Sequence, residues 1–229
     1  MFMTSVQSTH RLQIRMVDLI RRAFSVFELK TERTFEYAFV LDNLPPDFSS
    51  SVLDVGCSSS LLPIWMARCG YKVWGVDVRE YNERHPNFTF VREDILHTGF
   101  ADSFFDVITM VSTIEHIGFG AYNDSQAGQN ADMDAMKEIS RILKVGGSLL
   151  ITTPYAKEFT IVPGFERYYD DERLKHIFSG WNVESLEYWK PYFRIWKLRF
   201  WKPVSHSEAM QLTNLYTHST VCIKLRKEL

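Results

Sequence analysis

The sequence predicts an α/β fold: a mostly parallel sheet carrying helices on both faces, followed by an antiparallel pair of strands. Three observations carry this. Short apolar runs alternate with helix-period patterns from Val52 to Thr153, two of them stop at an acid and one at a glycine, and 45% apolar content over 229 residues is enough for a full core. The clearest unit is SVLDVGCSSSLLPIWMA, Ser51 to Ala67. Val52 to Val55 reads as a buried strand, Gly56 to Ser60 as a tight loop, and Leu62, Trp65, Met66 and Cys69 as one helix face. Ligands of open parallel sheets bind at the carboxyl ends of strands, where a glycine lets the backbone approach.

The elements follow in order. From Thr9 to Leu29, the residues Leu12, Met16, Leu19, Ile20, Ala23 and Phe27 recur at helical spacing with arginines opposite. Such a basic amphipathic helix packs on its own domain or lies on a membrane surface. A second helix, Glu32 to Asn43, stops before Pro45 and Pro46, and its Arg33, Glu36 and Tyr37 either reach a ligand or form a solvated face. Lys72 to Val76 is the second strand, with Asp77 at its tip; Phe88 to Val91 is the third, followed by Asp94 and Ile95. An acid about twenty residues beyond the first loop stands where a nucleoside's ribose offers its hydroxyls. Asp94 beside Ile95 offers an acceptor for an exocyclic amine next to an apolar surface for a purine.

The fourth strand, Asp106 to Val111, is nearly all apolar, as a strand buried on both faces is. Its end, Ser112 to Gly118, is the expected mouth of the site, and the long polar stretch beyond it is a substrate loop. A helix from Asp132, with Met133, Met136, Ile139, Ile142 and Leu143 inward, is closed by Gly146 and Gly147. Strand five, Ser148 to Thr153, runs into Pro154. Tyr155 to Tyr169 shows no regular period, and Asp170 or Asp171 caps a short helix through Phe178. WNVESLEYW and STVCIKLRK are the closing strands, with an insert between them in which Ser205 and Glu208 have capping-box spacing. Within it, Lys190 to Lys202 mixes aromatics with basic residues, the pattern of a hairpin with apolar residues inside, or of a surface for sugars, bases or a membrane interface.

LDVGCSSS, VWGVDVRE, VREDIL, FDVITMVSTIEHIG and EISRILKVGGSLLITTPY, in this order, resemble the class I S-adenosylmethionine-dependent methyltransferases, mostly their small-molecule, type 11-like branch. The resemblance covers roughly Phe35 to Tyr188. It departs from the family's acid-x-Gly-x-Gly-x-Gly loop at Ser58 and Ser60. It implies a Rossmann-like sheet of seven strands, the last one antiparallel. Residues 1–45 then supply helices covering the cleft, 46–190 the cofactor-binding core, and 191–229 an insert and the last strand of a single domain. The cofactor S-adenosyl-L-methionine is expected to contact Asp54, Gly56, Cys57, Ser58, Asp77, Val78, Asp94, Ile95, Val111 and Ser112. Backbone from Gly56 to Ser58 faces the methionine moiety, and Asp54 organises the loop and the amino group through water.

A sulfonium methyl is already activated, so alignment does most of the work and a general base helps a hydroxyl acceptor. His116, with Glu115 beside it, is the candidate base; the alternative is that it orders the loop. Tyr168 and Tyr169 serve either a substrate or packing. In some members of the superfamily the mouth reads Glu-x-x-Glu-His and holds a divalent ion; here Ser112 replaces the first glutamate, a third ligand has to come from His176 or Asp124, and no metal is expected. Net charge of -2 argues against nucleic acid as partner. Cys57, Cys69 and Cys222 lack ligand spacing and read as reduced thiols of a cytoplasmic protein. No stretch is apolar enough for stable membrane insertion. The acceptor is a small molecule, first a hydroxyl of a sugar or other metabolite. The rival readings are a dinucleotide oxidoreductase using NAD, disfavoured because Leu61 stands at the third glycine position, and a noncatalytic partner subunit.

Overall fold

The computed structural model describes residues 31–122, 124–195, 198–211 and 218–228. The amphipathic helix expected over Thr9 to Leu29 lies outside them. Helix α1 (Glu32–Asn43) leads into β1 (Ser51–Val55), α2 (Leu62–Cys69), β2 (Lys72–Val76), β3 (Phe88–Val91) and β4 (Phe105–Val111). Then come α3 (Ala131–Ile142), β5 (Leu143–Tyr155), β6 (Thr160–Val162), β7 (Glu166–Tyr168), α4 (Asp171–Ile177), β8 (Trp181–Ile195), β9 (Leu198–Val204), α5 (His206–Ala209) and β10 (Ser219–Lys227).

Strands β3-β2-β1-β4-β5-β10-β8-β9 form one sheet in that spatial order. The first five pair in parallel, and β10 runs antiparallel between β5 and β8. The sheet therefore holds the seven strands implied by the resemblance, with one more, β9, added at its edge. That eighth strand comes from the aromatic and basic segment, which folds as the β8–β9 hairpin with Trp201 paired to Pro191 and packed on Phe35. Burying Trp201 to 2% exposure takes its ring away from any external ligand face.

Side chains alternate across the sheet, so neighbours enter different cores. Leu53, Ile108 and Ile151 pack with Ile139 of α3 and Leu174 of α4. Val52, Val107 and Leu150 pack on the other face with Val40 of α1 and Met66 of α2. Both faces are covered, which is why these strands read as unbroken apolar runs.

Two local expectations differ. Gly146 and Gly147 do not close α3: the helix ends at Ile142 and Leu143 already pairs with Phe105. The register then slips, so that Val107 faces Ser148, and the glycines sit in that irregularity. Pro154 does not end β5 either, since it pairs with Thr220 of β10. The stretch without period contains the small β6–β7 sheet, too short to show an alternation. The two capping expectations hold in detail: Asp170 accepts from Arg173 N, and Ser205 with Glu208 forms a capping box.

Candidate active site

The carboxyl ends of β1, β2, β3 and β4 open onto one cleft with about 190 Å³ of space. Asp54, Gly56, Asp77, Val78, Asp94, Ile95, Val111, Ser112 and His116 line it, with Arg33 and Tyr37 from α1. Cys57, Ser58 and Glu115 do not. Gly56 has φ +77°, and a Cβ there would collide with the Thr113 side chain, so the sharp exit from β1 requires glycine. Cys57 is fully buried, and a Cβ on Gly75 would meet its sulfur, so the thiol packs on β2 away from the cleft. The Gly56 and Ser58 N–H groups, expected to face a methionine moiety, are already used. Gly56 N donates to Val76 O and Ser58 N to Asp77 Oδ2, both at 2.9 Å.

Asp77 is held on both oxygens. Burial pushes its carboxyl up, but donors from the Arg79 side chain, Arg79 N and Ser58 N outweigh that and leave it below the usual carboxylate range. The Arg79 side-chain bonds are long, 3.3 Å from both Nε and Nη2, whereas Arg79 N donates at 2.9 Å. Asp94 accepts from Leu96 N at 3.0 Å and, on its other oxygen, from Ser125 Oγ at 2.7 Å. The long loop after β4 is thus docked on Asp94. Its Tyr122 lies under the Arg79 guanidinium, 4.8 Å from the ring centre. Sequence reading missed Arg79, Tyr122 and Ser125 because nothing in their spacing marks them.

Asp54 is 2% exposed, accepts from Thr109 Oγ1 at 2.6 Å, and burial raises its pKa to about 7. Glu36 of α1 is wholly buried at the opposite side of the mouth, where Arg33 pairs with it at 3.0 Å. His116 ends the turn Ile114–His116. Its Nδ1 lies 2.9 Å from Phe165 O, and since a carbonyl only accepts, Nδ1 carries the proton and a neutral ring keeps its lone pair on Nε2. Burial lowers the imidazole pKa, against the raising effect of that carbonyl. Glu115 is 1% exposed, its carboxyl 3.9 Å from His116 Nε2 and pushed well up by burial.

The turn is held from below by Arg167 of β7, whose guanidinium is completely buried. It donates to the carbonyls of Ile114, Glu115 and Ile117 in the turn and of Gly128 and Gln129 at the far end of the loop. Tyr169 is packed away, its hydroxyl on Asp132 and Ile114 O, and Tyr168 stacks on His218. Asp124, considered as a metal ligand, instead accepts from Gly118 N at 2.7 Å and Tyr122 N at 3.3 Å. Among the described residues no group of three His, Cys, Asp or Glu side chains could hold a metal ion.

A family model described as "Methyltransferase domain" matches residues 53–151, from β1 into β5. Over that stretch, less than half of its length, the chain is similar to methyltransferase domains. Among solved structures, it resembles 1,6-didemethyltoxoflavin-N1-methyltransferase of Burkholderia thailandensis, crystallised with 1,6-didemethyltoxoflavin and S-adenosylhomocysteine. The identity is 13%, over 99% of this chain and 90% of that one, with a TM-score of 0.61. A SAM-dependent methyltransferase of Methanosarcina mazei matches at 14% identity over 83% and 97% of the two chains, TM-score 0.57. The [4+2]-cyclase SpnF matches at 16% over 84% and 80%, TM-score 0.57. At such identities the likeness shows the fold. Compared with curated proteins, the chain matches none. No helix among the described residues is long and apolar enough to cross a membrane.

The cleft fits S-adenosyl-L-methionine by the chemistry of its side chains. One carboxylate, Asp77, follows β2, a second, Asp94, follows β3 beside the apolar Ile95, and a third, Asp54, lies in β1.

Proposed function

We propose that the chain moves a methyl group from S-adenosyl-L-methionine to a hydroxyl of a small metabolite, with His116 as general base. One observation carries the reading. His116 lines the same cleft as Asp77 and Asp94, and its Nδ1–Phe165 O contact leaves the lone pair of a neutral ring on Nε2.

When bound, the cofactor supplies a methyl group already activated by a sulfonium. Asp77 takes the ribose hydroxyls in place of the two long Arg79 side-chain bonds, and keeps its backbone donors. Asp94 with Ile95 holds the adenine. Asp54 faces the amino group through water, and Arg33, next to Tyr37 in the cleft wall, faces the carboxylate. Glu115, its carboxyl pushed well up by burial, lies 3.9 Å from Nε2. Alignment supplies the larger part of the rate, up to about 7–11 kcal/mol of barrier. The acceptor is a small molecule in the cytoplasm, where the three buried cysteines stay as thiols.

Calorimetric titration of the purified protein with S-adenosylmethionine, S-adenosylhomocysteine and NAD tests the cofactor assignment. Binding of the first two and not of NAD is expected. Binding of NAD alone makes the chain an oxidoreductase, and binding of none supports a noncatalytic subunit.

A further inference from the structure

Arg79 and Tyr122 tie the acid after β2 to the long loop after β4. Asp77 meets four donors on its two oxygens, Arg79 N and Nε on Oδ1 and Ser58 N and Arg79 Nη2 on Oδ2. A carboxylate has about four lone-pair sites, so its capacity is taken up. A ribose hydroxyl reaches Asp77 only where one of these donors leaves. The two Arg79 side-chain bonds, each 3.3 Å, are the longest of the four. The guanidinium is therefore a competitor for the ribose, built into the chain.

What holds that guanidinium comes from a distant segment. Its Nη1 reaches Ser59 Oγ only at 3.4 Å, whereas its face lies over the Tyr122 ring, with Cζ 4.8 Å from the centre. Such a cation–π contact favours the arrangement in which the cation stays on the ring. The arm that carries Tyr122 is itself tied down. Gly128 N donates to Gly118 O at 3.1 Å across its base, and Asp124 accepts from Gly118 N and Tyr122 N. Ser125, which does not line the cleft, bonds Asp94 through N at 3.1 Å and Oγ at 2.7 Å. The Tyr122 ring also meets the His116 imidazole edge-on, 5.1 Å between centres. Arg79, Tyr122 and His116 all line the cleft, so one ring touches both the competitor for the ribose and the candidate base.

We propose that Tyr122 is a positioning residue for Arg79: it pins the guanidinium on Asp77, and through it the loop after β4 sets the affinity for the cofactor. This rests on the cofactor reading above and goes beyond it, since Tyr122 acts here through Arg79 and not by touching the cofactor. The apparent affinity is the intrinsic one reduced by the fraction of molecules in which the Arg79 side chain has left Asp77. Removing the ring raises that fraction. The cofactor then binds more tightly, the reverse of what losing a wall of a site does. By linkage, an acceptor that draws Tyr122 away from Arg79 has the same effect, and bound cofactor in turn frees Tyr122 for the acceptor.

The test is a double-mutant cycle on the full chain, read by calorimetric titration with S-adenosylhomocysteine. Tyr122→Leu is expected to tighten binding about threefold, the effect of losing an ordinary cation–π contact on the competing side. Tyr122→Phe keeps the ring and is expected to match the parent. In the Arg79→Met background, Tyr122→Leu is expected to change nothing, because the group it acts through is gone. Unchanged or weaker binding in Tyr122→Leu, equal tightening in Tyr122→Phe, or the same tightening in the Arg79→Met background overturns the proposal. A parent protein that binds no S-adenosylhomocysteine overturns the cofactor reading beneath it.

Discussion

Glu36 of α1 accepts a 2.6 Å hydrogen bond from Ser112 Oγ at the end of β4, and the same oxygen takes Thr152 Oγ1 of β5 at 2.7 Å. Ser112 has φ +45°, a conformation that L side chains rarely adopt. A buried carboxylate from a helix far away in sequence thus holds the strained residue where the strand turns into the mouth. Glu36→Ala should lower the free energy of unfolding by about 3 kcal/mol in urea titrations, because both hydroxyls and Arg33 lose their acceptor. Ser112→Gly relieves the strain as it loses the bond and should stay within about 1 kcal/mol of the parent, whereas Ser112→Val should cost more.

Arg167 is the second anchor of the mouth. Lysine at this place has one nitrogen and cannot span five carbonyls. Arg167→Lys should therefore destabilise by on the order of 3 kcal/mol in the same titration. An unchanged midpoint and slope would show that water replaces the guanidinium at no cost.

His116 should give methyl transfer an acid limb. The rate needs the neutral ring, so it rises with pH through the imidazole pKa and is level above it. Burial places that pKa below the ordinary 6.5, with Glu166, Asp124 and the Phe165 carbonyl opposing the shift and Arg33 adding to it. Activity should be on its plateau by pH 7. His116→Gln should slow turnover by about 100-fold to 10,000-fold, remove the acid limb, and leave cofactor affinity within about twofold. Full activity in the variant excludes His116 as base.

Asp77→Ala should weaken cofactor binding at least about tenfold by calorimetry, since ribose loses both acceptors. Arg79→Met should not weaken it, and should tighten it modestly, because the ribose hydroxyls no longer compete for Asp77. Loss of affinity in Arg79→Met would mean that the guanidinium itself holds the cofactor.

Asp54 links stability to pH. Its pKa is raised from 3.8 to about 7, so between those values the folded protein keeps a proton that the unfolded chain has released. That contribution is present at low pH and is lost as pH rises through about 7. Asp54→Asn keeps an acceptor for Thr109 and carries no charge. It should melt a few degrees above the parent at pH 8, with the gap narrowing as pH falls from 7 toward 4, while binding the cofactor more weakly. Equal melting throughout would mean that the buried carboxyl is solvated in solution.

The parallel core was legible because strands covered on both faces are continuous apolar runs, and because Gly56, Asp77 and Asp94 each stand at the end of one. The capping boundaries at Asp170 and Ser205 were legible for the same local reason: a side chain bonding its own neighbours leaves its signature within three residues. The eighth strand was harder. Lys190 to Lys202 carries aromatic and basic residues in a pattern that fits a hairpin and a ligand surface equally, and only the packing of Trp201 on Phe35 separates them.

The sequence by itself determined the parallel core, its order of elements and the strand ends that open onto the cleft, since these follow from local periodicity and from residues next to each other in the chain. The tertiary structure alone decided what surrounds the reacting atoms. Glu36 reaches Ser112 across 76 positions, Phe165 reaches His116 across 49, and Arg167 reaches Ile117 across 50. Such contacts leave no period, because a buried hydrogen bond depends on where two segments meet in space and not on the spacing within either.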